Sequence, residues 1–472
     1  MYDHKFVPNP SVYPMHYNTP EEEQMREGFI EAASEVSAQE NEYQYTDATF
    51  LAGIELELPL MNTDYTLASQ QDRDVIVKSV PNTSVELSAH QLEVVPDKPA
   101  DLKQDLLSLE QAMEDSVDLV REKTQSLGLS WLRFGTYPLC HIHEVDHTKG
   151  EPKYIKYVRS PMWHTQNQRP DAEGYVLTAS GPLDVSSGYI VGLLNAIQVT
   201  VDAVSFDDAI DKLNRSYMIS PMAVALAANS SHLGYLYTGY ADVRFVAWTI
   251  SHDTRLQSEV DSGFPTRVGL PRDYFSGMNE YFNQILSYPF VMNDPISMNY
   301  PFEVGNGIFW RDARLKFFRD NHKVGVEFRP VAVQSDLHSD VSAMMFYIGR
   351  LVWSQHNKEA LIPMNKVWAN KQSAMSLGMR AKLHTLVNGN LVMMDARDAL
   401  EIEIQRASEG LALLDADEGK RLYYVNNLLQ RLSEGSPAEV FMANARKRIA
   451  RNIEDARNNL IETFEELNLI ER

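Results

Sequence analysis

The segment Gly53-Ile54-Glu55-Leu56-Glu57-Leu58-Pro59 constrains this chain more than any other, because its apolar and acidic residues alternate. Side chains along a strand point to opposite faces in turn, so Ile54, Leu56 and Leu58 share one face and Glu55 and Glu57 the other. Two carboxylates side by side on one sheet face repel. The plain reading is an edge strand with a wet acidic face. The functional reading sets a divalent cation such as Mg²⁺ between them, since hard cations take oxygen ligands.

With 472 residues the chain has room for two or three average domains, or for one large sheet-based domain with added helices. Lys and Arg total 43 against 65 Asp and Glu, a net charge of −22. That balance speaks against gripping nucleic acid or acidic membranes, and anionic substrates would need locally placed cations. The single cysteine, Cys140, leaves no internal disulfide and suits a reducing compartment. The opening MYDHKFVPNP has no basic segment followed by an apolar run, and no stretch approaches the ~20 apolar residues that cross a bilayer. A cytoplasmic protein without membrane attachment is expected.

Thr19-Pro20-Glu21-Glu22-Glu23 predicts a helix start, with a Thr cap, Pro in the first turn and acid near the positive end of the helix dipole. Leu102, Leu106, Leu109, Met113, Val117 and Val120 predict an amphipathic helix over about 98–127. Residues 128–202 read as strands and loops, and 206–229 as a helix with a second apolar segment. The stretch 260–304, rich in Gly, Pro and aromatics, reads as an irregular segment that covers something or is a passive loop. Lys323–Pro330 predicts a strand, and 338–472 reads as almost wholly helical, with Leu411, Leu414, Leu422, Val425 and Leu428 as packing residues. Strands early and helices late, without regular alternation, predict an α+β architecture.

Four further segments place polar groups where an apolar strand would be expected. Glu86 and Glu93 stand seven residues apart, which puts them on opposite faces of a straight strand but on one face of a helix or across a helix-to-strand break. Gln198, Thr200 and Asp202 form one polar face in Ile197-Gln198-Val199-Thr200-Val201-Asp202. The others are Trp310-Arg311-Asp312-Ala313-Arg314 and the pair Glu327 and Arg329. Singly, each fits a solvated face or a structural ion pair. Together they supply carboxylates for more than one Mg²⁺ and arginines for bidentate contact with phosphate or carboxylate, an inventory suited to phosphoryl transfer from ATP. Neither GxxxxGK[ST] nor GxGxxG is present, so a nucleotide site must rest on metals and arginines.

In their order these segments resemble the glutamate-cysteine ligase family, in the plant and bacterial branch that includes the bacterial carboxylate-amine ligases. Gly53–Glu57 resembles G-[IV]-E-x-E, Glu86–Pro96 resembles E-x6-E-x-x-[TV]-P, and Gly135-Thr136-Tyr137-Pro138 is similar to G-[TF]-x-P. Ala196–Asp202 is similar to S-V-Q-V-N-[LV]-D, Pro221–Ser230 to P-x3-A-L-x-A-N-S, and Gly239–Arg244 to G-Y-x-S-x-R. Trp310–Arg314 and Val326–Arg329 resemble W-x-D-x-R and [LV]-E-x-R. The resemblance implies a glutamine synthetase-like curved antiparallel sheet, with helices on its convex side and a helical C-terminal part. It implies a catalytic domain over 48–440, between an N-terminal extension (1–47) and a C-terminal helical extension (441–472).

By the same resemblance Glu55, Glu57, Glu86, Glu93, Gln198 and Glu327 surround Mg²⁺. Arg244, Arg314 and Arg329, with Gln198 and Thr200, hold ATP or the substrate carboxylate, and Arg314, Arg329 and Glu327 are the catalytic set. The implied reaction activates an amino-acid carboxylate, typically the γ-carboxylate of glutamate, as an acyl phosphate and joins it to an amine. The partners are thus small molecules. The chain departs from the family pattern at Thr200, at Ala332, where an acid is common, and at Ser231, where a Pro is common. These changes are expected near the substrate.

Other readings remain open at this level. A phosphotransferase of the same fold would stop at a phosphorylated acceptor. Cys140–His147 resembles the HxHxDH signature of metallo-β-lactamase-like hydrolases with one residue inserted, so His141, His143 and His147 suggest a zinc hydrolase, or else a polar turn after Pro138. A binding protein storing Mg²⁺ or Ca²⁺ is a non-catalytic reading. Leu460, Phe464, Leu467 and Ile470 suggest a helix contact between subunits of a homo-oligomer.

Overall fold

The computed structural model describes residues 2–14, 19–46, 48–149, 174–447 and 450–472. Residues 150–173, part of the stretch expected to be strands and loops, lie outside the described residues. The alternation around Glu55 is realised in β1 (Leu51–Asn62), the long central strand of a nine-stranded sheet. Its companions are β2 (Thr83–Val85), β3 (Gln91–Val94), β4 (Ala100–Asp101), β5 (Leu129–Leu132), β6 (Ala196–Ala203), β7 (Ala313–Phe318), β8 (Lys323–Ala332) and β9 (Ile470–Glu471). The main path runs β7-β8-β6-β1-β3-β2, while β4 and β5 also pair with β1 and β9 pairs with β5. All these pairings are antiparallel, and the architecture is the curved α+β one.

Cross-strand register sets which side chains share the polar face. Gly53 lies opposite Thr200, Thr200 opposite Glu327, and Glu327 opposite Arg314. Glu55 lies opposite Gln198, Glu57 opposite Glu93, and Glu93 opposite Ser84. Residues directly opposite point to the same side, so a diagonal band of charge crosses five strands. A bulge after Phe328 interrupts the pairing of β8 with β6, which re-aims the chain where Arg329 follows Glu327.

The other face is apolar: Ile54, Leu56, Leu58, Val199, Val201, Val326 and Phe328 are buried. The chain begins with α1 (Pro20–Ala38), capped by Thr19 as expected, and α2 (Ser108–Ser126) follows β4. Against the apolar sheet face pack α3 (Phe206–Ala227) and, after α4 (Arg244–Ser251) and α5 (Pro301–Gly307), α6 (Leu337–His356). The Tyr347 ring of α6 stacks on Phe328 at 3.8 Å. Behind lies α7 (Ala396–Leu414), which meets α6 backbone to backbone: a Cβ on Gly410 would come within 1.8 Å of the Gly349 carbonyl oxygen. No helix of the described residues is long and apolar enough to cross a membrane.

Several expectations need correction. Glu86 and Glu93 are joined neither by a helix nor by a helix-to-strand break but by the β2–β3 hairpin, whose turn absorbs the odd spacing. The helix expected from about 98 begins only at Ser108, because Ala100–Asp101 pairs with β1; Leu102 and Leu106 are buried outside it. The late region is not wholly helical, since Lys382–Val387 and Asn390–Asp395 form a hairpin. Leu460 and Phe464, on α8 (Ile453–Glu466), pack within the chain against Phe134 and Phe441 and so are not free for another subunit.

Candidate active site

The diagonal band opens into a cavity of about 540 Å³ lined by Glu55, Glu57, Glu86, Glu93, Gln198, Arg244, Arg314 and Arg329. The structure thus gathers eight of the ten sequence-predicted site residues around one hollow. Glu327 lies beneath them, bonded to Arg314 through both carboxylate oxygens and within 3.4 Å of Arg329 Nε. Thr200 is displaced: it lines an adjoining cavity of about 430 Å³, which shares Glu55 and adds Pro96, Lys316, Phe318 and Lys323. From the segment 260–304, Met292, Ile296, Ser297, Tyr300, Glu303 and Val304 wall the larger cavity, so part of the expected cover does adjoin the site.

The hollow is electrically divided. On the side of β1 and β3, Glu57 accepts hydrogen bonds from the Ala196 amide at 2.7 Å and from Gln198 Nε2 at 3.0 Å, and Ser84 donates to Glu93 at 2.6 Å. Burial, reinforced by Glu86, still pushes Glu57 up to about 8. Burial, then Glu86 and Glu55, push Glu93 well above the usual carboxylate range. On the side of β7 and β8 the balance reverses. Burial alone would raise Glu327, but Arg314, Lys316 and Arg329 outweigh it and hold that carboxyl far below its ordinary value. Burial and the neighbouring Arg314 guanidinium lower Arg329.

Burial first and crowding second disfavour the charged forms of Glu57 and Glu93, and a cation would relieve both. Among the described residues no three His, Cys, Asp or Glu groups form a ready cage for a metal ion. Mg²⁺ does not ask for one, since it is held by one or two carboxylates, waters and substrate phosphates. The oxygen-only donor set around Glu55, Glu57 and Glu93 fits that chemistry. Zinc does demand three or four protein ligands, and among the described residues the histidines do not supply them. The rings of His141 and His143 stack at 5.3 Å, while His147 Nδ1 lies 3.1 Å from the Tyr189 hydroxyl, so the zinc reading is set aside.

Arg244 lines the cavity with its guanidinium held by the protein itself. Its guanidinium is tied to both oxygens of Asp242, to the Pro330 carbonyl at 2.6 Å and to the Asn195 and Val331 carbonyls at 3.3 Å. It therefore pins α4 to the end of β8, with its donors already engaged. Among the described residues, the donors left without an acceptor at the cavity wall are Arg329 Nη1, Trp248 Nε1 and Asn195 Nδ2. Buried donors of this kind cost free energy until an acceptor arrives, which makes this wall receptive to an anion.

Sequence reasoning missed Trp248, Asn195 and Lys316. Lys316 was within reach of the alternation argument, two residues beyond Arg314 on one strand face. Trp248 and Asn195 gave no such signal, because their place depends on tertiary packing. Neither Ala332 nor Ser231 lines the cavity: Ala332 packs where Gly135 leaves room, and the Ser231 hydroxyl pairs with His232 Nδ1 at 2.9 Å. Those two departures therefore lie outside the cavity wall.

Among solved structures the chain is similar to glutamate-cysteine ligase from Francisella tularensis in complex with AMP, at 12% identity over 90% of each chain, with a TM-score of 0.54. It is also similar to a bifunctional glutathione synthetase from Pasteurella multocida, at 11% identity over 92% of this chain and 55% of that one, with a TM-score of 0.49. Comparison with curated proteins finds no match. Identities this low speak for the fold alone. The family model described as glutamate-cysteine ligase family 2 matches residues 51–458, the span that holds every residue of the hollow. The chain belongs to glutamate-cysteine ligase family 2.

Proposed function

We propose that this protein is an ATP-dependent ligase that joins an amino-acid carboxylate to an amine. One observation carries the reading: a single hollow sets buried, mutually repelling carboxylates beside a cluster of arginines. Such a split suits a triphosphate with its counter-cation on one side and a carboxylate on the other. The family's name supports glutamate as the acid, and its γ-carboxylate is the group we propose is activated.

Glu55, Glu57 and Glu93 would hold Mg²⁺, with Glu86 and Gln198 beside them. When bound, the ion offsets charge on the phosphates and on the incoming carboxylate. The adjoining cavity, with Pro96 and Phe318 as apolar walls and Lys316 and Lys323 as cations, is suited to the nucleotide. Arg314 and Arg329, held in place by Glu327, face the transferring phosphoryl group. A carboxylate oxygen of the acid forms a bond to the γ-phosphorus while the bond to the bridging β,γ-oxygen breaks, releasing ADP. The amine nitrogen then attacks the acyl carbon, phosphate departs, and the nitrogen loses its proton. The wall from Met292 to Ile308 limits water, which would hydrolyse the acyl phosphate.

Screening ATP consumption against amino acids and amines tests the proposal. Release of ADP and phosphate that requires Mg²⁺, an acid and an amine together is expected. Formation of AMP and pyrophosphate, or a stable phosphorylated acceptor without amide, contradicts it.

A further inference from the structure

Lys316 lies on β7 two residues beyond Arg314 and reaches the same polar face. Its Nζ stands 2.5 Å from Glu55 Oε1 and 3.3 Å from Glu327 Oε1. Those carboxylates belong to β1 and β8, with β6 running between them, so the ammonium bridges an intervening strand. The positions it crosses, Gly53 and Thr200, carry no charge, and a Cβ on Gly53 would meet nothing within 4 Å, while Asp202, opposite Gly325 on β6, accepts from the Leu51 amide and the Tyr45 hydroxyl. Two carboxylates from separate strands closing on one positive centre is the arrangement a bound cation makes. Here a side chain of the protein makes it.

The bridge is also built to open. Lysine carries a compact charge on a flexible stem, 34% of this side chain is exposed, and it borders the adjoining cavity with Lys323. Opposite it on β8 is Gly325, which places no side chain in its path. Arg314 and Arg329, by contrast, are 19% and 14% exposed and tied to Glu327, Gly307 and Gln198.

We infer that Lys316 is a displaceable counter-ion: in the nucleotide-free protein it occupies the place between Glu55 and Glu327, and it yields that place when a nucleotide phosphate draws it into the adjoining cavity. The inference rests on the ligase reading for the nature of the incoming group. Its consequence is coupling. While the ammonium sits there, a divalent cation is opposed; once phosphate takes the ammonium, Glu55 is released to the metal while Glu327 keeps its arginines. Nucleotide and metal then favour each other's binding, and the coupling is reciprocal.

The test is Mn²⁺ binding to the nucleotide-free protein, read by the loss of free-ion signal in electron paramagnetic resonance, which needs no turnover. Lys316→Met is expected to bind Mn²⁺ at least tenfold more tightly than the wild type, and ADP in the presence of Mn²⁺ at least tenfold more weakly. Lys316→Arg, which keeps the charge, restores both affinities to within about threefold. Lys316→Gln gives the same Mn²⁺ reading should the methionine variant not fold. Unchanged Mn²⁺ affinity in Lys316→Met or Lys316→Gln overturns the inference. Tighter Mn²⁺ binding in the variant of a protein that consumes no ATP with any acid and amine would sink the ligase reading and support the counter-ion.

Discussion

Glu55 and Glu327 face one hollow from opposite sides of its electrical divide, and their removal should act differently. Glu55 lines both cavities. Glu55→Gln keeps the shape and removes one charged oxygen of the proposed metal set, so the proposed ligase activity should fall by roughly a hundredfold or more while thermal unfolding changes little; steady-state rates beside a melting curve check this. Glu327 instead holds Arg314, Arg329 and Lys316 together. Glu327→Gln leaves three crowded cations with too little negative charge and should cost about 3–5 kcal/mol, measured by urea unfolding. The two residues were legible in the sequence for one reason: strand alternation fixes which side chains share a face without any knowledge of tertiary structure. The same rule reached Arg314 and would have reached Lys316. It could not reveal that Arg244 spends donors on the Asn195, Pro330 and Val331 carbonyls as well as on nearby Asp242, because those carbonyls are remote in sequence.

Among the elements, the C-terminal strand binds the end of the chain to the sheet. Glu471 on β9 accepts from Arg133 Nε at 2.8 Å and from Arg121 Nη2 at 2.6 Å, and Arg133 is buried. Burial works against the charged Glu471 carboxylate, but Arg133 and Arg121 overcome it and lower its pKa below the ordinary 4.5. A depressed folded-state pKa gives stability that is complete above the unfolded value and fades as the pH falls below it. Glu471→Gln should therefore lose roughly 2–3 kcal/mol at pH 7, and the gap to wild type should close as the pH falls below that ordinary value; unfolding curves across pH check the sign. On α8, Phe464 is fully buried, 4.7 Å from the Phe441 ring and 5.3 Å from Phe134. Phe464→Ala should cost about 3–5 kcal/mol, seen as a lowered melting temperature.

Turn chemistry explains the misread elements. Asn388-Gly389 joins the late hairpin with both residues at positive φ, 50° and 76°. That Asn-Gly turn between apolar runs is a hairpin signal present in the sequence, and the surrounding helical periodicity obscured it. The β2–β3 turn, which brings Glu86 and Glu93 to one hollow, carries no comparable signature.

For the whole molecule, the excess of acid, −22 in net charge, makes a local concentration of Arg314, Arg329, Lys316 and Lys323 the place where an anionic substrate can settle. The α+β class and the order of the site segments were readable because both depend on local pattern. The closure of the sheet by β9 and the split of the hollow into two cavities were not, since each depends on contacts between distant segments. The central claim is that this hollow activates a carboxylate by phosphorylating it. With the acid labelled by ¹⁸O in its reacting carboxylate, mass spectrometry of the released phosphate should find one ¹⁸O per turnover. Phosphate without the label, with one heavy oxygen in the amide and the other in AMP, would contradict it.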